Sequence, residues 1–404
     1  MSGGVRIERP RGTQDILPSE QPRRRQVTSE FERLCALYGY RRIDTPVFED
    51  TELFARTSGI GSDVVTKEMY TFTDRGDRSW TLRPEPTAGI VRAYLEHGLH
   101  REPQPQKLFT ISTQYRYGRP QKGRLREFWQ LDVEAIGSDD PALDAEVIQL
   151  YDTLLGRLGI REYHLELNSI GDAACRPAYL ERLRPWLEEH AAQLDAATRE
   201  QAERNPLRVL DNLAAKPPEV QEVLRRAPSI GDALCDECRA HFAEVRRYLD
   251  AFGVRYELVP TLVRGLDYYT RTTWEFIGPE GGSQSALSGG GRYDGLAEEL
   301  GGNPTPGVGF GAGVERLLLA LEQAGVQAPE EEGVDVFFVS ADAADRARVI
   351  ATVLELREAG LRADADFAGR SVKGQHTQAR RLGAKRVVVV DADTDLRRVA
   401  DELA

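Results

Sequence analysis

At 404 residues the chain is too long for one ordinary core, and about two to three domains are expected. Its net charge of -12 excludes nucleic-acid binding by the surface as a whole but leaves room for a local basic track. No uncharged apolar run reaches the ~20 residues of a membrane span, and the opening MSGGVRIERPRG has no apolar signal core, so a cytoplasmic protein with no membrane partner is expected.

In chain order, RGTQDILP at Arg11–Pro18 leads into a helix that Ser19 is placed to cap, with Val27, Phe31, Leu34 and Leu37 at helical spacing up to Gly39. Tyr40–Phe48 then reads as a strand whose Pro46 puts it at an edge or an interface, the kind of seam a dimer uses. Short strands follow at Tyr70–Phe72 and Ser79–Leu82, and RPEPTAG at Arg83–Gly89 turns into a helix over Ile90–Glu96. Glu85 and Thr87 occupy that corner, where Thr87 fits either a helix cap or a site.

Lys107–Gly137 reads as strand, basic loop, strand, and Arg116, Arg119, Lys122, Arg124 and Arg126 crowd the turn. Such a cluster is commonly a solvated loop, but arginines beside Phe128 and Trp129 also suit phosphate clamping with base stacking. Alternation puts Phe128, Gln130, Asp132 and Glu134 on one face, too polar for an ordinary core strand. A helix over Asp144–Leu158 and a strand over Tyr163–Leu167 come next. Gly171 to about Gly253 is helical, charged and broken by prolines, which reads as an insertion splitting one α+β domain. Four cysteines, Cys35, Cys175, Cys235 and Cys238, are too few for a disulfide framework, and Cys235-x-x-Cys238 lacks a second ligand pair, so no structural metal is expected.

Leu262–Phe276 (LVRGLDYYTRTTWEF) joins a charged aromatic corner to a strand, and two glycine-dense stretches follow, SGGGRYDG at Ser288–Gly295 and GVGFGAGVER at Gly307–Arg316. Three polar, glycine-rich corners so close together point beyond packing. After the acidic linker QAPEEEG at Gln327–Gly333, strands and helices alternate, as in a small α/β domain with a parallel sheet. Phe367–Val390 within it carries six Lys or Arg and no acid, which fits a solvated helix face or an RNA contact. No GxxxxGK[ST] loop and no HExxH occurs. Arginines with carboxylates and glycines remain, a parts list for positioning and neutralising a nucleoside triphosphate.

On these residues the chain resembles the histidyl-tRNA synthetases of bacterial type, class II aminoacyl-tRNA synthetases, over nearly its whole length. The strand around Pro46 resembles motif 1, Tyr115–Glu134 motif 2 and Gly307–Leu318 motif 3, while RGLDYY at Arg264–Tyr269 and GGGRYDGL at Gly289–Leu296 resemble the histidine-specific signatures. The resemblance implies an α+β fold: an antiparallel-sheet catalytic core at 1–170 and 254–326, a helical insertion at 171–253, and an anticodon-binding-like α/β domain at 334–404, shortened at its end. It implies a histidine–tRNA ligase that makes histidyl-adenylate from L-histidine and ATP, with Mg2+ on the pyrophosphate through ligands left open, and passes the histidyl group to the 3′ end of tRNA(His).

Residue by residue, the resemblance implies that Glu85, Thr87 and Gln130 hold the amino end of histidine, and that Glu134, Tyr268 and Tyr269 line the imidazole pocket, with Tyr293 in the same histidine-binding set. Arg116 and Arg264 grip the α-phosphate from opposite sides and count in both the catalytic and the histidine-binding sets. Phe128 stacks on adenine and Arg316 takes the terminal phosphate, while Asp267 orients the corner. The insertion is expected on the acceptor stem, the last domain on the anticodon, and a homodimer through motif 1. Two departures stand out: Gly118 occupies a position where the family usually carries an acid, and no strand pair follows Val387–Val390. The competing readings are a histidine-binding regulatory paralogue, of the ATP phosphoribosyltransferase subunit type, and a relative that charges something other than tRNA. The paralogue type typically lacks the arginine found here at Arg264.

Overall fold

The computed structural model describes residues 7–57, 67–211, 213–279, 285–331, 333–340 and 342–403. The chain divides into two compact units, Met1–Ala328 and Pro329–Ala404, and the boundary falls within the acidic linker.

The first unit is organised by the hairpin Gln106–Tyr115 and Glu127–Ile136, whose ten paired positions run from Gln106 opposite Ile136 to Tyr115 opposite Glu127. Because side chains alternate along a strand, Leu131, Val133 and Ala135 enter the core while Gln130, Asp132 and Glu134 face the other way. Among the described residues the sheet has eight strands, in the order Arg41–Arg42, Gln106–Tyr115, Glu127–Ile136, Gly307–Gly313, Ala286–Arg292, Thr270–Ile277, His164–Ser169, Glu257–Leu258. The two outermost pairings are parallel and the rest antiparallel.

The apolar face is covered by helices Gln21–Leu37, Pro141–Leu158, Asp236–Phe252 and Val314–Gln323, which contribute Phe31, Leu154, Leu249 and Leu317 to one continuous core. Tyr151 sits at its centre, edge-on to Phe276 and Phe310, with its hydroxyl donating to the Leu287 carbonyl at 3.1 Å. With that face sealed, the polar face is the one open to ligands.

Several elements differ from the sequence expectation. Ser19 does not cap the first helix: Pro18–Glu20 tightens into a 3-10 turn, the Glu20 carboxylate accepts the Leu17 N–H at 2.8 Å, and the helix starts at Gln21 without a side-chain cap. The segment around Pro46 is not one strand. Arg41–Arg42 is the edge strand of the large sheet, and Phe48–Asp50 pairs with Ser79–Leu82 in a separate antiparallel sheet completed by Tyr70–Thr73. The buried Arg83 bridges the break, donating to the carbonyls of Thr45 at 2.7 Å and Pro46 at 3.2 Å.

The helical stretch after Gly171 also divides. Helix Arg176–Glu189, the 3-10 turn Pro206–Leu210 and helix Pro218–Leu224 bury Leu183, Val209 and Val220 in a second cluster that includes Tyr268, Tyr269 and Tyr293, whereas Asp236–Phe252 belongs to the core beneath the sheet.

The second unit is a parallel sheet in the order Ala363–Ala365, Val336–Ser340, Arg386–Val390, with helices Arg346–Glu358, Val372–Arg381 and Leu396–Leu403. The central strand is apolar throughout because both faces are covered: Val336 and Phe338 meet Val353 and Leu396, while Phe337 and Val339 meet Ala379. Among the described residues no helix is long and apolar enough to cross a membrane.

Candidate active site

A cleft of about 760 Å³ lies in the first unit, on the polar face of the large sheet, and is lined by Glu85, Thr87, Arg116, Phe128, Gln130, Arg264, Tyr268, Tyr269 and Arg316. Nine of the residues singled out in the sequence therefore converge on one cavity. Glu134 and Tyr293 are not on its surface. They stand behind it, 1% and 2% exposed, joined by a short hydrogen bond from the Tyr293 hydroxyl to the Glu134 carboxylate. The other Glu134 oxygen accepts from the Thr87 hydroxyl at 2.6 Å.

Thr87 is thus no helix cap. Its helix, Thr87–Glu96, is capped by Glu85, whose two oxygens accept the backbone N–H groups of Thr87 at 2.8 Å and Ala88 at 3.0 Å. The Thr87 hydroxyl is left to orient Glu134. Burial raises the pKa of Glu85, of Asp132 and of Glu134, the last to about 8, and the neighbouring carboxylates add to the shifts of Asp132 and Glu134. Three acids gathered out of water await positive charge. Oδ1 of Asp132 accepts from Gln130 at 2.6 Å, while its Oδ2 is buried with no hydrogen-bond partner, a vacancy an ammonium group would fill.

The arginines are held mainly by carbonyls. Arg116 donates to the Pro84 carbonyl at 2.7 Å and lies 5.4 Å from the Phe128 ring centroid. Arg316 donates to the Ala286 carbonyl at 2.6 Å. Burial lowers its pKa, and the positive charges of Arg124 and Arg116 lower it further. Like charges held together out of water make a receptor for polyanions.

Arg264 is the exception, for it pairs with Glu275. The glycine-rich strand makes room for it, since a Cβ on Gly289 would stand 2.3 Å from the guanidinium. RGLDYY and GGGRYDGL therefore belong together: one supplies the arginine and the other the space. A Cβ on Gly309 would likewise strike Glu134 at 2.0 Å. Asp267 holds the same corner from outside by accepting from Arg208 of the insertion at 2.8 and 3.0 Å.

The residue-by-residue reading missed Glu275, although alternation between the buried Trp274 and Phe276 puts it on the cleft face. It also missed Arg292, fully buried against Asp144 and the Ser138 carbonyl, which anchors the glycine strand to helix Pro141–Leu158. Gly118 lies beside Arg124, which pairs instead with Glu68 at 2.7 Å.

A family profile described as histidyl-tRNA synthetase matches residues 12–317. The chain belongs to the histidyl-tRNA synthetase family. It is 50% identical to the histidine–tRNA ligase of Moorella thermoacetica over 95% of this chain and 90% of that one. The corresponding protein of Nocardia farcinica is 49% identical over 96% and 90%. Among solved structures, apo histidyl-tRNA synthetase from S. aureus superposes with a TM-score of 0.79 at 39% identity, covering 95% of this chain and 91% of that one. A Bacillus halodurans protein described as an ATP phosphoribosyltransferase regulatory subunit/histidyl-tRNA synthetase shares the fold, at a TM-score of 0.69 and 24% identity. The class II synthetase α+β fold expected from the motifs is the fold of this family.

Proposed function

We propose that the chain is a histidine–tRNA ligase that activates L-histidine with ATP and transfers the histidyl group to the 3′ end of tRNA(His). The observation that carries this reading is the polarity of one cleft, with clustered arginines beside Phe128 and clustered buried acids toward Glu134. Phe128 and Glu134 share a strand face and stand about 20 Å apart at the usual rise per residue, room for an amino acid laid against a nucleotide.

In this reading adenine stacks on Phe128, Arg316 takes the terminal phosphate, and Arg116 and Arg264 flank the α-phosphate. The histidine carboxylate attacks the α-phosphorus in line and pyrophosphate leaves, while the fixed guanidinium groups stabilise charge that grows in the transition state. The α-ammonium group sits against Glu85, Gln130 and Thr87, with the open Oδ2 of Asp132 completing its shell. Tyr268 and Tyr269 flank the imidazole, and Glu134, held just behind the cleft wall by Thr87 and Tyr293, is the acceptor toward which its ring N–H points. A side chain without both ring nitrogens leaves buried polar groups unpaired, which is how such a site rejects isosteres.

Magnesium suits this cleft, since Glu275 and Glu315 both line it and a magnesium ion takes one or two carboxylates beside phosphate oxygens. Its chemistry there is to neutralise the pyrophosphate. The tRNA contacts are assigned to the insertion and to the second unit, where Lys373, Arg380 and Arg381 are exposed and the other three bases of the track pair with Asp366, Asp335 and Glu402. A homodimer is supported by the half-exposed Val47, Phe48 and Phe72 beside the Pro46 break.

Histidine-dependent exchange of labelled pyrophosphate into ATP tests the activation step, and charging of a histidine tRNA tests the transfer. Exchange indifferent to histidine would refute the assignment and favour the regulatory paralogue, whose type the presence of Arg264 already argues against.

A further inference from the structure

Away from the cleft, the ligand atoms of Asp172, Cys175, Cys235 and Cys238 all lie within 4.8 Å of one another. Folding thus gives the Cys235-x-x-Cys238 pair the partners it lacks in sequence. Cys175 and Cys238 are buried and Cys235 is half-buried.

Three thiols and one carboxylate are all ligand types that zinc takes, and its tetrahedral sites place sulfur about 2.3 Å from the metal and ligand atoms roughly 3.8 Å apart. The cluster needs only small side-chain rotations to reach that spacing. Its sulfurs already accept the hydrogen bonds that metal-bound thiolates accept: Cys235 N–H donates to Cys175 Sγ at 3.1 Å and Cys238 N–H to Cys235 Sγ at 3.4 Å. Asp172 is aimed by the N–H groups of Ala174 and Cys175 at 3.0 and 3.2 Å.

Charge is provided for as well. Zinc with three thiolates and a carboxylate carries a net charge of about -2 by simple addition. Against it stand the N-terminus of helix Asp236–Phe252, which begins next to Cys235, and Arg271, whose Nη2 lies 3.8 Å from Asp172 and 3.8 Å from Glu237. Arg271 holds a φ of 51°, in the left-handed region, and is locked there by Arg271 N–H to the Gly171 carbonyl at 2.7 Å and Ile170 N–H to the Arg271 carbonyl at 2.8 Å.

We propose that Asp172, Cys175, Cys235 and Cys238 bind one zinc ion that closes the neck of the helical insertion. Binding releases the thiol protons to solvent as the metal–sulfur bonds form. The two halves of the site are 60 residues apart in sequence, and the loop they close carries Arg208, which holds Asp267. Arg176, next to Cys175, donates to the Tyr269 carbonyl. Zinc therefore fixes the insertion against the RGLDYY corner without touching substrate.

The test is made on the full chain under reducing conditions: strip it with a chelator, reload it with zinc, dialyse, and measure metal by atomic emission. The expected result is about one zinc per chain in the wild type and in Cys35→Ala, whose sulfur lies in the sheet core, and less than a tenth as much in Cys235→Ser/Cys238→Ser. If that double variant does not fold, cobalt titration of the wild type decides. Thiolate-to-cobalt charge-transfer bands with tetrahedral d–d absorption, saturating near one equivalent and weakened in Asp172→Asn, support the site. Wild-type protein that retains no zinc after dialysis, shows no thiolate bands, or forms a Cys175–Cys235 disulfide while zinc-loaded overturns it.

Discussion

The two ends of the cleft solve opposite electrostatic problems. At the end marked by Phe128, Arg116 and Arg316 are anchored to backbone carbonyls and keep their charge, because a guanidinium does not give up its proton in a protein. At the other end Glu85, Asp132 and Glu134 are buried together and held above their ordinary pKa by that burial. The arginine end has a fixed charge, whereas the acid end takes its charge from what binds there. In the proposed function, a site that holds a polyphosphate at one end and an imidazole of variable charge at the other gains from that difference.

Arg264→Ala should break the fixed end most severely. Loss of one charge-stabilising donor costs about 3–4 kcal/mol, so kcat for histidine-dependent pyrophosphate exchange is expected to fall roughly 100- to 1,000-fold. If Arg264 acts on the developing charge, as proposed, the KM for ATP should change far less than kcat. A rise in the KM for ATP with kcat unchanged would instead mean that Arg264 binds substrate without favouring the transition state.

Asp132→Asn probes the variable end. It keeps the shape but removes the charge of a buried carboxylate whose Oδ2 has no hydrogen-bond partner. A hydrogen bond between charged groups is worth about 1.5–3 kcal/mol, so histidine affinity should drop roughly 10- to 100-fold while ATP affinity is retained. Isothermal titration with each substrate separates the two, and an equal loss for ATP would erase the distinction between the ends.

How far the comparison could be read before folding depended on the range of the signal. Alternation in FWQLDVEA already placed Phe128, Gln130, Asp132 and Glu134 on one face, because a strand's period is a local property. The double role of the RPEPTAG corner was hidden, since the partner of Thr87 is Glu134, on a strand 47 residues further along the chain, and Glu85 takes over the capping that Thr87 was suited to perform. Ser19 misled for a local reason: Pro18 favoured a tight 3-10 turn that a propensity for capping does not anticipate. The cysteine cluster was invisible because its halves are separated by the whole insertion, and no periodicity spans such a loop.

Phe128→Leu weakens the fixed end without touching charge. Stacking on one base is worth about 1–3 kcal/mol, and leucine retains part of the apolar contact, so a rise of about 5- to 10-fold in the KM for ATP is expected, with kcat nearly unchanged. Steady-state exchange kinetics at saturating histidine measure it. Should kcat fall instead, Phe128 would be acting through Arg116, which lies over its ring.

Glu134→Gln gives the smallest and most specific effect, because it reads the titration of the variable end in the free protein. The Glu134 carboxyl rises from an ordinary 4.5 to about 8 on folding, chiefly through burial. The folded state therefore holds its proton where the unfolded state has released it. The stability due to that proton is fully present below pH 4.5 and is lost as pH rises through about 8. Between pH 7 and 9 the wild type should lose about 1–1.5 kcal/mol that Glu134→Gln does not lose, even though Asp132 and Glu85 titrate in both proteins. Denaturant melts at the two pH values, compared as a difference of differences, read that term together with the change that losing the Glu134 charge makes in the Asp132 titration. Parallel pH dependence in the two proteins would mean that Glu134 is already ionised when the site is empty. Its partners Thr87 and Tyr293 would then be stabilising an anion, and the acid end would be as fixed in charge as the arginine end.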